Sequence, residues 1–346
     1  MDQSNLKTNC IIAVDAMGGD KAPHDAIIGA LDALNNGNIF NLLLVGRKTE
    51  ILDVLKNNNL SFPEENIINA NEIIGMKDSP TAALKTKKDS SIVVGANLVK
   101  DNKAHAFVSA GNTGAMMAAS ILLIGRIPGV GRPTIGATIP TETGTGCTIY
   151  DVGASVDSKP HHLLEYAIMG SLYAKEISGI NNPSVGLLSV GEEDSKGNKV
   201  TLAAFDLLKN TDINFIGNIE GRDILKGKVD IVVCDGFVGN ILLKFAESIM
   251  GLLKAKIRNY ADASLSNKLK ALVVKGTLKD ALKDMDYQAY GGVPLLGING
   301  ISIIGHGSST PLAFKNMILR AYEMHRKNLL NKIEGSIKNY AEQKKT

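Results

Sequence analysis

The sequence predicts a doubly wound α/β fold built on a largely parallel sheet. Two observations carry this. Short β-branched, near-continuously apolar runs alternate with segments of helical period almost from end to end, as expected for strands covered on both faces. Glycine-rich polar clusters follow directly on those runs, and glycine is in excess, 35 of 346 residues, with no Gly-X-Y period.

Taken in order, the strands fall at 10–16 (CIIAVDA), 40–46 (FNLLLVG), 105–111 (HAFVSAG), 148–153 (TIYDVG), 184–191 (SVGLLSVG), 214–219 (NFIGNI), 230–236 (DIVVCDG) and 301–307 (ISIIGHG). Between the strands lie helices, for example at 24–35, 80–100, 113–124, 161–178, 200–209 and 311–342, the last opened by Thr310 as N-cap and Pro311 at the first helical position. No linker-like or low-complexity stretch and no fixed-period repeat divides the chain, so 1–346 reads as a single α/β domain. Within it, about 246–286 forms a basic amphipathic helical excursion. Eight basic residues face two acidic ones from Lys254 to Lys283, while Ile249, Leu252, Leu253, Ile257 and Tyr260 recur at helical spacing.

Composition excludes several classes. At 44% apolar and 21% charged residues the chain is globular rather than disordered. Aromatics are 5% and tryptophan is absent, which argues against a stacking platform for single-stranded nucleic acid. A net charge of +3 names no partner. Cys10, Cys147 and Cys234 are scattered and lack C-x-x-C spacing, as expected of buried thiols in a reducing compartment. The N-terminal segment lacks the charge and hydropathy of an export signal, and no uninterrupted apolar run approaches the ~18 residues of a membrane span. A cytoplasmic, non-spanning protein is expected.

The clusters DAMGGD (15–20), SAGNTG (109–114), YDVGAS (150–155), SVGEEDSKGN (189–198), CDGFVGN (234–240) and GHGSS (305–309) each follow a strand. In an open α/β sheet the carboxyl ends of parallel strands share one rim, where ligands bind, so these turns could converge on one site. Each also opens or precedes a helix, whose unpaired N–H groups and dipole favour an anion, phosphate above all. Every cluster has a structural alternative, because such loops use Gly, Asn, Asp and Ser for positive φ and for capping. Asn112 or Thr113 could cap the following helix, and Ser308 stands where a cap is needed before Pro311. Gly18, Gly19, Gly111, Gly114 and Gly236 let a ligand approach the backbone. Lys196 is the cation a phosphate site would use. His306 reads as a near-core histidine before a proton shuttle. Asp15, Asp20 and Asp235 suit supporting roles, orienting a lysine or capping a helix. Adjacent His161 and His162 point ~100° apart on a helix, and no metal is expected. There is no P-loop, no G-x-G-x-x-G after the first strand and no G-x-S-x-G elbow.

VDAMGGDKAP (14–23), SAGNTGAMMAA (109–119), GRIPGVGRP (125–133), YDVGASVDSKPHHLLEYAIMG (150–170), VGEEDSKGN (190–198), FIGNIEGRD (215–223), VCDGFVGN (233–240) and YGGVPLLGINGISIIGHGSS (290–309) resemble the PlsX family of phosphate acyltransferases in unbroken order from residue 11 to about 325. The resemblance implies a fold related to isocitrate dehydrogenases and phosphotransacetylases. It implies an enzyme that moves a fatty acyl group from acyl carrier protein to inorganic phosphate, giving an acyl phosphate for phospholipid synthesis, without a cofactor. It further implies a cytoplasmic homodimer, peripherally attached to an anionic membrane surface, with a membrane glycerol-phosphate acyltransferase as a further partner. Lys199 and Ser155 depart from the family pattern, so the resemblance assigns neither a role. Read this way, backbone N–H groups of 15–20 and 109–114, with Thr113, cradle phosphate. Lys196 neutralises its charge, and Asn112 and Asn240 donate to phosphate or carbonyl oxygen. The basic face carrying Lys254, Arg258, Lys268 and Lys270 suits an acidic carrier protein or anionic lipid.

Overall fold

A computed structural model of the chain describes residues 10–35, 37, 39–281 and 291–343. The end of the expected helical excursion, 282–286, lies outside the described residues, as does Tyr290 of the YGG motif. The strands are β1 (Ile11–Asp15), β2 (Asn41–Gly46), β3 (Ile67–Asn69), β4 (Ala106–Ser109), β5 (Thr134–Pro140), β6 (Gly146–Tyr150), β7 (Val185–Leu188), β8 (Phe215–Ile219), β9 (Ile231–Val233), β10 (Val293–Leu296) and β11 (Ile301–Ile304). The helices are α1 (His24–Leu34), α2 (Lys48–Asn57), α3 (Pro80–Thr86), α4 (Ser91–Lys100), α5 (Thr113–Ala119), α6 (Pro160–Glu176), α7 (Lys199–Lys209), α8 (Gly221–Lys226), α9 (Gly236–Asp262), α10 (Leu265–Ala281), α11 (Pro311–Arg326) and α12 (Leu329–Gln343).

The chain forms two compact units, one from Met1–Ile135, Glu165–Pro183 and Gln288–Thr346, the other from Gly136–Leu164 and Ser184–Tyr287. It passes from one to the other at four points, so no single linker marks the division. A chain divided in this way carries no linker-like stretch in its sequence. In the first unit the strand order is β3-β2-β1-β4-β11-β10, and the first residues of β5 pair with β10. In the second it is β5-β6-β9-β7-β8. Pairing is parallel except where β10 or β5 takes part, so the expected largely parallel α/β class holds.

The central strands are apolar on both faces because helices cover both. Ile12, Leu42, Leu44 and Phe107 are fully buried in the first unit, and Ile149, Ile231 and Val232 in the second. Each such side chain contributes about 1.5–3 kcal/mol by leaving water. Two glycines set how closely helices approach. A Cβ on Gly29 of α1 would stand 2.4 Å from the Pro311 carbonyl of α11, and one on Gly95 of α4 would stand 2.1 Å from the Phe107 ring on β4.

The structure corrects several boundaries. The helix expected at 80–100 is two, α3 and α4, because Ser90 turns the chain and caps the second by accepting from Val93 N–H at 3.4 Å. The helix at 311–342 is likewise two, broken at Asn328, whose φ of +54° no helix sustains. Strands β3, β5 and β10 are additions to the expected set, while α2 and α8 are helices between expected strands. Glycine and proline hide β5 and β10. Gly136 in β5 makes room for Tyr150 on β6, and Pro294 sits where β10 changes partner from β11 to β5. The helical excursion begins earlier than the composition shift, at Gly236, because Asp235 caps α9 there.

Candidate active site

Three of the six clusters meet in the first unit, at the carboxyl ends of the adjacent parallel strands β1, β4 and β11. Asp15, at the end of β1, is buried; its Oδ1 accepts from Met17 N–H at 3.0 Å and its Oδ2 from the Ser109 hydroxyl at 2.6 Å. Ser109 in turn accepts from Gly111 N–H at 3.0 Å. Burial pushes the Asp15 carboxyl above the usual carboxylate range, against the opposing pull of donors from Ser109, Ser91, Met17 and Gly18. Gly18 fills the space between the two loops. A Cβ there would stand 2.8 Å from both Asp15 Oδ2 and Gly111 N, so only glycine fits without a shift. Asp20 N–H donates to the Gly307 carbonyl at 2.7 Å, tying the third cluster to the first. Gly19, at φ +108°, makes the turn between these contacts.

Asn112 caps α5 by accepting from Ala115 N–H at 3.0 Å, while its Nδ2 donates to the carbonyls of Gly75, Met76 and Asp78. Both ends of this amide are therefore spent on structure. The cap reading of Asn112 describes its geometry, and the donor to a reacting oxygen is not among its present bonds. The N–H groups of Thr113 and Gly114, first in α5, have no intrahelical acceptor. The turn Asn112 holds is itself pinned, since Lys87 Nζ donates to Asp78 Oδ2 at 2.6 Å and Gly75 N–H to the same oxygen at 2.9 Å. That cation and that N–H hold the Asp78 carboxyl below its usual range. His306 is exposed, not near-core, and Ser308 N–H donates to its Nδ1 at 3.2 Å. Thr310 and Pro311 stand at the N-cap and first turn of α11 as expected.

In the second unit, YDVGAS and CDGFVGN meet. Buried Asp151, after β6, accepts from the N–H groups of Gly153, Ala154 and Ser155 at 2.7–3.2 Å. Gly236 N–H donates to the Ser155 carbonyl at 2.9 Å. Gly239 has no room for a side chain, since a Cβ would fall 1.9 Å from the Asp151 carbonyl oxygen. Asp235 accepts from Phe237 and Val238 N–H, both at 3.0 Å, and is the supporting cap expected of it. Asn240, half-buried, lies beside Gly153, whose Cβ would be 3.6 Å from its Oδ1. Ser155, the departure from the family pattern, makes these contacts through its backbone; Lys199 is exposed at the start of α7.

The loop carrying Lys196 is held from below. Asn218 Nδ2 donates to the Glu193 carbonyl at 2.9 Å and the Lys196 carbonyl at 3.3 Å, and the Ser189 hydroxyl donates to the latter at 3.0 Å. Glu192 pairs with Lys228 and Asp194 with Lys209, at 3.0 and 3.4 Å. Among the described residues no ion pair takes Lys196, whose exposed side chain is left to act on something else. Sequence reasoning missed Ser109, Asp151 and Asn218 as organisers of these loops. All three stand inside quoted motifs, and a polar residue at the end of an apolar strand is the signal that could have found them.

Lys254, Arg258, Lys268 and Lys270 are exposed on α9 and α10, together with Leu252, Leu265, Leu269 and Val273. Among the described residues α9 is the one helix long and apolar enough to cross a membrane by length and composition, and 12% of that apolar window is buried.

A profile of the fatty acid synthesis protein family matches residues 10–332. The chain is 48% identical over 330 residues to a phosphate acyltransferase of Halothermothrix orenii, covering 94% of this chain and 98% of that one. Similar matches are to phosphate acyltransferases of Pelotomaculum thermopropionicum, at 48% with 94% of each chain covered, and Heliobacterium modesticaldum, at 46% with 94% and 97% covered. Among solved structures the fold is similar to a phosphotransacetylase from Streptococcus pyogenes, with TM-score 0.62 at 19% identity over 92% of this chain and 94% of that one. It is also similar to the EutD phosphotransacetylase from Staphylococcus aureus, with TM-score 0.58 at 16% identity over 91% and 94%. Identities that low speak for the fold alone. On a profile match spanning most of its length and relatives near half-identical to it, this chain belongs to the fatty acid synthesis protein family, the phosphate acyltransferases.

Proposed function

We propose that this acyltransferase moves a fatty acyl group from acyl carrier protein to inorganic phosphate, giving an acyl phosphate that feeds phospholipid synthesis. The observation that carries this reading is near half-identity, over 94% of the chain, to proteins named for acyl transfer to phosphate. The chemistry asks little of a general base. Phosphate is anionic at neutral pH, and a thiol of pKa ~8.5 leaves readily. What the reaction needs is a cradle for the dianion, a donor for the oxyanion forming on the thioester carbonyl, and alignment at about 3–3.5 Å. Loops 15–20 and 109–114 suit the cradle, with Gly19, Thr113 and Gly114 supplying backbone N–H groups, Gly18 and Gly111, whose N–H groups are bonded within the loops, leaving room for the anion, and Asp15 fixing the distance between the loops. Gly236, His306 and Ser308 are further candidates for the phosphate side. Lys196 is the candidate for charge neutralisation and Asn240 for carbonyl polarisation. Asn112 acts by positioning its loop. We read the enzyme as a cytoplasmic homodimer with no cofactor, docking its carrier or an anionic membrane through α9 and α10.

The test is incubation with acyl carrier thioester and phosphate, followed by hydroxylamine trapping. A hydroxamate formed only with phosphate present, and faster from the carrier thioester than from acyl-coenzyme A, is expected. Thioester loss independent of phosphate would overturn the reading. Lys196→Ala is expected to lower kcat/KM for phosphate about 10²-fold; turnover and phosphate KM near wild type would remove Lys196 from the mechanism.

A further inference from the structure

At the other end of the first unit's strands, away from the glycine loops, three soft donors come together. Cys10 directly precedes β1, His105 directly precedes β4, and His325 lies in the last turn of α11. One ligand atom from each falls within 4.8 Å of the other two, and the two imidazole rings are 4.4 Å apart. We propose that Cys10, His105 and His325 form a binding site for a divalent transition-metal ion of the zinc type, one thiolate and two imidazoles with the fourth position left to water.

The donor set, the spacing and the space around it point the same way. One sulfur and two nitrogens match the ligands a borderline-soft, tetrahedral ion takes, and alkaline-earth ions avoid them. A tetrahedral ion with bonds of about 2.0–2.3 Å holds its donors roughly 3.3–3.8 Å apart, so closing from the observed spread takes side-chain rotations of about 1 Å. A cavity of about 240 Å³ opens beside the cluster, lined by both histidines and by Asn102, Asn299, Asn328 and Asn331. It gives the ion a path of entry and room for its water. The thiolate is the ligand form of cysteine, so an ion bound here displaces the Cys10 proton. His105 Nδ1 accepts from Ile11 N–H at 3.0 Å, so the neutral ring carries its proton on Nε2 and ligation through either nitrogen gives up this backbone hydrogen bond. That loss sets the affinity below that of a preformed structural site. The bound ion would clamp the starts of β1 and β4 to the end of α11. The inference stands independently of acyl transfer.

Cobalt serves as the optical probe. The full chain, stripped by chelation, is titrated with Co²⁺, and zinc is then used to displace it. One equivalent should produce a cobalt–sulfur charge-transfer band in the near ultraviolet, and zinc should abolish it. Cys10→Ser should eliminate the band, and His325→Asn should weaken cobalt binding at least about 10-fold. Cys147→Ser and Cys234→Ser should leave it intact. Far-ultraviolet circular dichroism and a cooperative thermal transition of the metal-free protein serve as the check that Cys10→Ser and His325→Asn are folded. No band in the wild type, or a band that survives Cys10→Ser in folded protein, overturns the site.

Discussion

Glu165 shows what one residue does for a loop that has no regular structure. Its Oε2 accepts from Gly131 N–H at 2.9 Å and Arg132 N–H at 3.3 Å, organising the turn of GRIPGVGRP. Burial raises its carboxyl above the usual range, more than these donors and Arg126 lower it. A folded-state value above the unfolded one means the native state holds this proton more tightly. The contribution of Glu165 to stability therefore falls as pH rises from about 4.5 through the raised value, then levels off. Glu165→Gln keeps the acceptor oxygen and loses the charge. Its denaturation midpoint should gain on wild type as pH rises above about 4.5, and parallel profiles would refute the assignment. At this scale the sequence was legible where a residue type has one use in a loop, as with Asp235 at a cap. It was illegible where the partner is remote. Nothing near Asp15 in the chain announces Ser109, and nothing near Cys10 announces His105 and His325.

Helix contacts turn on single glycines. Gly29→Ala drives a methyl into the Pro311 carbonyl and Phe314, and overpacking of this kind should cost about 1–3 kcal/mol in denaturant unfolding. Gly335→Ala, on α12 with open space around it, is the control and should be neutral or stabilising by up to about 1 kcal/mol. Equal effects at the two positions would show that packing against α11 is not what Gly29 serves. Elements such as α1, β1, β2 and β4 were legible because uninterrupted apolar runs and helical period are bounded by glycine-rich polar turns. β10 was not, because a proline in a strand reads as a break until its partners are known. Helix breaks at Ser90 and Asn328 were masked by helical period continuing on either side.

Across the molecule, charge and apolar surface concentrate on α9 and α10. If that face docks an acidic carrier or anionic lipid, Lys268→Glu with Lys270→Glu should raise the carrier KM or weaken binding to anionic vesicles several-fold. About 1 kcal/mol per basic residue is the scale, with thermal stability unchanged. Both constants at wild-type values would make the pair a solvated surface only. The α/β class was legible from strand and helix alternation, whereas the two units were not, because the chain weaves between them.

That weaving bears on how the protein is made. In the first unit β11 sits between β4 and β10, yet it is synthesised near the end of the chain. Until β11 has been made, the flank of β4 with Ala106, Phe107 and Val108 has no strand partner for its amides on that side. A chain truncated before Ile301 lacks that partner strand and should pellet as aggregate on expression, where soluble fragment in the supernatant would refute the expectation.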